Sequence, residues 1–229
     1  MTEALVIAID GPSGSGKSTV SKAVARQLGL AYLDTGAMYR VAAVWLERHG
    51  ALDRPELMPG LIDTMPLELS LDPDDQFFRL EGEDISALIR STTVSTYVSK
   101  VSTCLGARAV LVARQQAVVA AEQQPGGWSG GRGIVAEGRD ITTVVAPEAA
   151  VRVLLTASER ARLARRALEV HGAADAAALA ATADQVVRRD RDDSTVAQFM
   201  EAPAGVTVVD SSALTIEQTV QAVLDLVPG

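Results

Sequence analysis

Nine residues near the start of the chain limit its possible folds more than any other feature. Gly11-Pro12-Ser13-Gly14-Ser15-Gly16-Lys17-Ser18-Thr19 matches the pattern G-x-x-x-x-G-K-[ST]. It lies directly between a continuous apolar run, Leu5-Val6-Ile7-Ala8-Ile9, and a stretch with helical spacing through Val20, Val24 and Leu28. An uninterrupted apolar run of that length reads as a strand buried on both faces. Glycines let backbone N–H groups curl around phosphates, and the positive end of the following helix adds to the attraction. The loop from Gly11 to Thr19 is therefore expected to bind a nucleoside triphosphate. Lys17 should reach its β- and γ-phosphates, and the Ser18 hydroxyl should ligate Mg²⁺. Chance yields this pattern about twice in a thousand chains of this length and composition, before the flanking strand and helix are counted.

The remainder of the chain alternates strands with helices. Ala31-Tyr32-Leu33, Ile134-Val135-Ala136, Val151–Leu155 and Val206–Val209 read as further strands. Helices are predicted over Lys17–Leu28 with Gly29 as its stop, over Gly36–His49 capped by Asp34 or Thr35, and within Thr92–Glu122. Three more are predicted over Ser158–Val170, Asp175–Arg189 and Thr215–Leu226. That order implies an α/β fold: a parallel sheet flanked on both faces by helices. Between Pro66 and Arg90 the pattern changes, with Leu67, Leu69 and Leu71 alternating with polar residues, a turn at Pro73-Asp74-Asp75, and Phe77–Leu80 as a returning strand. This reads as a small antiparallel insertion. Gln124–Gly133 is expected to be a mobile, exposed glycine-rich loop.

The charge balance narrows the partners. A net charge of −8 makes the chain a poor binder of nucleic acid, whose phosphates it would repel. The single cysteine, Cys104, excludes an internal disulfide and reads as a small buried hydrophobe. His49 and His171 sit at helix ends and read as capping or surface groups. No apolar run is long enough to span a bilayer and Met1–Asp10 has no basic start, so a cytoplasmic location and no membrane partner are expected. The chain is expected to act as a monomer. It contains no asparagine, which argues against a guanine-specific switch protein with an Asn-Lys-x-Asp element. Ser129-Gly130-Gly131-Arg132 resembles a transport-ATPase signature only superficially, because it leads into a strand where that signature opens a helix.

A small-molecule or nucleotide kinase remains, and such an enzyme needs a second anion site. Leu33-Asp34-Thr35-Gly36-Ala37-Met38-Tyr39-Arg40 places Thr35 and Arg40 around the start of a helix, where a monophosphate can be cradled. Glu137-Gly138-Arg139-Asp140 follows a buried strand, at the sheet edge where ligands of open parallel sheets bind. Arg188-Arg189-Asp190-Arg191-Asp192-Asp193 is a dense alternation of charge after a helix. A kinase of another small acceptor, or a nucleotide sensor, would fit these residues as well.

The phosphate loop, LDTGAMYR (Leu33–Arg40), EGEDISALIR (Glu81–Arg90), EGRD and the arginine-rich segment occur in the order and spacing of bacterial cytidylate kinases, which the chain resembles over nearly its whole length. The resemblance implies a phosphate-loop kinase of residues 1–229, with a monophosphate-binding insertion over about 63–100 and a mobile lid over about 188–202. It implies direct in-line phosphoryl transfer from ATP to CMP or dCMP, with Mg²⁺ as cofactor. Carried over by position, Thr35, Arg40 and Arg139 hold the acceptor phosphate, and Ser99 and Arg108 read cytosine. Arg189 and Asp193 contact the sugar and help close the site, with Asp140 nearby; Lys17, Arg139 and Arg189 act on the transferring group. Arg162 and Arg165 are candidates for the ATP side. The lid departs from the family pattern: Asp193-Ser194-Thr195 runs into Val196-Ala197-Gln198-Phe199, without the arginine that relatives place after the threonine. Ser99 and Arg108 would lie about 180° apart on one straight helix, so the helix is predicted to break between them, at Gly106.

Overall fold

Five parallel strands set the position of everything else. The computed structural model describes residues 4–172, 175, 179, 182–183, 188 and 190–228. In chain order the sheet strands are β1 (Leu5–Asp10), β2 (Ala31–Asp34), β6 (Gly133–Gly138), β7 (Val151–Thr156) and β8 (Thr207–Asp210), arranged β2-β6-β1-β7-β8. A smaller antiparallel sheet is formed by β3 (Leu67–Leu69), β4 (Phe78–Leu80) and β5 (Glu83–Asp84). The sequence pattern gives two of its strands. The third follows a two-residue turn, Glu81-Gly82, in which both residues have positive φ.

Alternation along the strands separates two cores. Ile7, Ile9, Tyr32, Val135 and Val153 face Val20 and Val24 of helix α1 (Lys17–Leu28) and Val220 and Val223 of the C-terminal helix (Ile216–Leu224). Val6, Ala8, Leu33, Ile134 and Ala136 face the opposite way, onto Met38 of helix α2 (Thr35–Arg48) and Val119 of helix α5 (Leu105–Glu122). Every core position of β1 and β6 is thus covered, as a parallel sheet with helices on both faces requires. A third apolar core joins α2, helix α3 (Met58–Asp63), helix α4 (Thr92–Ser102) and α5 with Phe78 and Leu80 of the small sheet. Among the described residues, no helix is long and apolar enough to cross a membrane.

Gly29 ends α1, and Asp34 is the residue that caps α2, accepting from the Ala37 N–H at 2.8 Å. The last strand starts one residue later than expected, at Thr207. Thr215 caps the C-terminal helix instead of forming its first turn. His49 closes α2, with its Nδ1 2.8 Å from the Trp45 carbonyl oxygen. His171 is the last residue of helix α6 (Glu159–His171). The helix proposed over Asp175–Arg189 falls largely outside the described residues.

Three expectations need correction. The helical stretch does break between Ser99 and Arg108, but at Thr103-Cys104 and not at Gly106. The Thr103 hydroxyl donates to the Ser99 carbonyl at 2.7 Å, so a side chain competes for a helical acceptor there. Gly106 lies inside α5 for a packing reason: a Cβ would come within 2.8 Å of Pro59 Cγ on α3. Cys104 is half-buried rather than buried, because it is the residue preceding α5. The glycine-rich loop, finally, is exposed over most of its length as expected, but hydrogen bonds anchor it. The buried Glu122 carboxylate accepts from the Trp128 and Ser129 N–H groups at 2.7 and 2.8 Å, and Ser129 Oγ accepts from the Gly133 N–H.

Candidate active site

The strand register brings three loops to one edge. Asp10 pairs with Gly138 and Asp34 with Glu137, so the residues following β1, β2 and β6 emerge side by side at the C-terminal ends of the strands. They open into a cavity of about 860 Å³, a size suited to small ligands. It is lined by the loop from Ser13 to Thr19, by Thr35 and Arg40, and by Gly138, Arg139 and Asp140, which follow the strand lying between β1 and β2.

Glycine is needed in the phosphate loop for two separate reasons. At Gly11 a Cβ would sit 2.0 Å from the Leu155 carbonyl oxygen of the neighbouring strand, and at Gly14 the backbone has a φ of +76°. Lys17 Nζ donates to the Pro12 carbonyl at 3.0 Å. Ser15 Oγ is buried in the loop and has no hydrogen-bond partner among the described residues. A buried orphan hydroxyl in a loop of converging N–H groups fits a phosphate group.

Ser18 Oγ donates to Glu137 Oε1, and the Tyr32 hydroxyl donates to the same oxygen at 3.0 Å. Burial pushes the Glu137 carboxyl above its usual range and neighbouring Asp34 adds to this, while Lys17 opposes it. A buried carboxylate beside the loop serine is a hard oxygen donor set of the type Mg²⁺ prefers. Thr35 is buried and donates to the Glu137 carbonyl at 2.7 Å, so its hydroxyl helps to fix β6 against α2.

Past β6 the chain makes one wide helical turn, Ile141–Val145. The Asp10 carboxylate accepts from the Ile141 and Thr142 N–H groups and from Thr142 Oγ1 at 2.7–2.9 Å. This anchor fixes the direction of Arg139 and Asp140. Arg139 donates to the Gly11 carbonyl at 2.6 Å, pairs with Asp190 at 2.9 Å and Asp193 at 3.2 Å, and lies over the Phe199 ring. Asp140 pairs with Arg108; burial raises its pKa and Arg108 opposes the rise. Arg108 also donates to the Ser102 carbonyl at 3.1 Å, and Ser102 Oγ donates to Asp193 at 2.9 Å. Arg40 donates to the Ile89 carbonyl at 3.0 Å and is 3.3 Å from Ser95 Oγ.

The structure thus gathers Lys17, Ser18, Thr35, Arg40, Arg108, Arg139, Asp140 and Asp193 around one cavity. Ser99 is not among the residues that line it. Ser102, one turn further along α4, faces the cavity instead. Gly11 and Pro12 sit behind the loop and act through their carbonyls. Arg189 lies outside the described residues, as does any contact between it and Asp193. Arg191 is exposed and is not among the residues that line the cavity. Arg162 is buried behind the loop, donating to the Ser13 carbonyl at 2.9 Å and to Asp190 at 2.5 Å. Arg165 lines the cavity and donates to Ser15 O and to Ser211.

Sequence reasoning missed Glu137, Tyr39, Ser102 and Asp190. Glu137 and Tyr39 lay inside recognised motifs. The buried Tyr39 hydroxyl has no hydrogen-bond partner among the described residues, and the Arg108 guanidinium lies 5.8 Å from the centre of its ring. Asp190 lay inside the charged segment Arg188–Asp193 but without a role of its own, and Ser102 carried no local signal; the packing of the segment around Asp193 against α4 and the loop gives both their role.

The cytidylate kinase family model matches residues 7–228. A cytidylate kinase of Cutibacterium acnes is 47% identical over 229 residues, covering 99% of this chain and 97% of the relative. A cytidylate kinase of Nocardia farcinica is 43% identical over 218 residues, covering 94% and 90%. A bifunctional pantoate ligase/cytidylate kinase of a Synechococcus strain is 40% identical over 232 residues, covering 99% of this chain and 44% of that longer protein.

Proposed function

The chain belongs to the cytidylate kinase family, and from that premise we propose that it transfers the γ-phosphoryl group of ATP to CMP and dCMP, yielding ADP and CDP or dCDP. The observation that carries this reading is one cavity lined both by the phosphate loop and by Thr35, Arg40 and Arg108. Two anion sites in one cavity suit a reaction in which one phosphate attacks another. An oxygen of the acceptor phosphate forms the new bond to the γ-phosphorus as the bond to the ADP oxygen breaks. No side-chain base is required, because the acceptor phosphate is already an anion at neutral pH.

Catalysis here is positioning and charge neutralisation. Lys17 and the loop N–H groups hold the donor phosphates, and Arg139 reaches the region between donor and acceptor. Ser18 and Glu137 would hold Mg²⁺, which supplies charge neutralisation on the donor phosphates. Leu168, Leu214 and Ile216 line the outer end of the cavity, with Leu168 and Ile216 more than half exposed. These apolar side chains beside Arg165 offer the donor base a face to stack against. Arg108, Ser102 and the Tyr39 hydroxyl bound the acceptor side, where the cytosine ring is read. Residues of about 63–100 act as the acceptor-binding insertion and about 188–202 as the lid. In the latter, Asp190, Asp193 and Phe199 are packed down against the loop and Arg139.

Coupled ADP release, measured across CMP, dCMP, UMP, AMP and shikimate, tests the proposal. Turnover with CMP and dCMP well above the others is expected. Negligible turnover with every monophosphate would favour a sensor, and preference for another acceptor would replace the substrate assignment.

A further inference from the structure

Val196-Ala197-Gln198-Phe199 is the stretch in which the chain departs from the family pattern, with no arginine of its own. Phe199 nevertheless meets one: the Arg139 guanidinium lies 4.3 Å from the centre of its ring. A tight turn brings the two together. The Val196 and Ala197 N–H groups donate to the Asp193 carbonyl at 3.2 and 3.0 Å, and the Thr195 hydroxyl donates to the Asp192 carbonyl at 2.7 Å. The chain folds back on itself there, so Asp193 and Phe199 converge on the same guanidinium.

Arg139 is thus held in two different ways. Along its edge, Nη1 donates to the Gly11 carbonyl, Nη2 pairs with Asp190 and Nε with Asp193. A guanidinium has five N–H groups. Among the described residues these contacts take three, which leaves two for a ligand in the cavity that Arg139 lines. Edge bonds fix where the group lies within its plane but tolerate a tilt of that plane, because hydrogen-bond angles are broad. A ring against its face opposes the tilt. Phe199 is fully buried in a small cluster with Leu154 of β7 and Ala197. An aliphatic side chain would fill that cluster as well; only a ring also attracts a guanidinium, through the negative face of its π-system.

We propose that Phe199 is a positioning residue for phosphoryl transfer, its ring fixing the tilt of Arg139 so that the remaining N–H groups point at the transferring group. The inference rests on the role given to Arg139 above and deepens it. In this chain the segment after Asp193 acts on the reaction by orienting an arginine of the core. Phe199 is not among the residues that line the cavity, so it should influence the reaction only through Arg139 and leave ATP binding unchanged.

Replacing Phe199 by mono-, di- and trifluorinated phenylalanine tests this, because fluorine weakens the negative face of the ring while nearly keeping its shape. With CMP as acceptor, kcat/KM should fall stepwise with fluorine number, by about 3- to 30-fold over the series, the strength of a buried cation–π contact. ATP affinity by isothermal titration should stay within about twofold. In Phe199→Leu the Arg139 Nε–H resonance, assigned by its absence in Arg139→Lys, should move as the shielding of the ring is lost. The fluorinated series decides the matter even if Phe199→Leu fails to fold. A constant kcat/KM across the series would reduce Phe199 to a filler of its cluster and overturn the proposal. So would a parallel loss of ATP affinity, which marks damage to the phosphate loop, or an Arg139 signal unmoved in folded Phe199→Leu. If the wild type prefers another acceptor to CMP, the substrate assignment fails, and the same series measured with that acceptor decides the role of Phe199.

Discussion

Asp190 is where removing one small side chain should have a large and calculable effect. Its carboxylate is 5% exposed and accepts from the Ser13 N–H at 3.0 Å, pairs with Arg139 at 2.9 Å, and takes the Arg162 guanidinium at 2.5 Å. Arg162 is itself only 7% exposed. Replacing Asp190 by Ala removes the only carboxylate within ion-pair distance of Arg162 among the described residues and leaves it with the Ser13 carbonyl. Arg139 keeps Asp193 and the Gly11 carbonyl, so the damage concentrates on Arg162. Breaking a buried ion pair by deleting one partner costs about 3–5 kcal/mol. For a domain of this size that corresponds to a fall in Tm of about 6–20 °C. Asp190→Asn can still accept from Ser13 and should lose less. ATP places phosphate charge on the same loop, so saturating ATP should restore more Tm to Asp190→Ala than it adds to the wild type. Thermal unfolding followed by circular dichroism, with and without ATP, measures both effects. A Tm for Asp190→Ala within about 2 °C of wild type would refute the pairing as a structural element.

Lys17→Ala should lower kcat/KM by about 100- to 1000-fold, the cost of removing one preorganised group from a developing charge, with little change in Tm; coupled ADP release against a melting curve separates the two. Arg108→Met should lower kcat/KM for CMP far more than for UMP, and Ser102→Ala should follow the same direction more mildly, because Ser102 bonds Asp193 and its carbonyl aims Arg108; equal losses on both substrates would remove Arg108 from base reading. Burial raises the Asp10 pKa above its ordinary 3.8 against the opposing Thr142 and Ile141 hydrogen bonds. The folded state therefore holds that proton where the unfolded chain has released it, and the stability Asp10 contributes is present below 3.8 and falls as pH rises through the raised value. The Tm difference between wild type and Asp10→Asn, plotted against pH, should change across that window and be flat above it.

The sequence by itself determined whatever depends on neighbours along the chain. The run Leu5–Ile9, the glycines of the phosphate loop and the helix after Lys17 are local signals, because strand burial, loop curvature and helix start depend on residues within a few positions. The motif Leu33–Arg40 likewise located Asp34, Thr35 and Arg40 at a helix start, and the structure finds them there. What only tertiary structure decided is which of several similar groups reaches the cavity. Ser99 and Ser102 differ by three residues on one helix. The break at Thr103-Cys104 and the packing of the Asp193 segment bring Ser102 to the cavity and leave Ser99 off its lining. Glu137 reads as one more acidic residue in a motif until the register of β6 between β1 and β2 brings its carboxylate to Ser18 and Tyr32. The same holds for the cations: sequence supplies Lys22, Arg40, Arg90 and Arg139 alike, and only the folded chain satisfies Arg40 and Arg139 with protein oxygens while Lys22 and Arg90 line the cavity without one among the described residues. Pairing between residues distant in the chain is a property of the closed fold, because each partner's charge is compensated by groups that no local window contains.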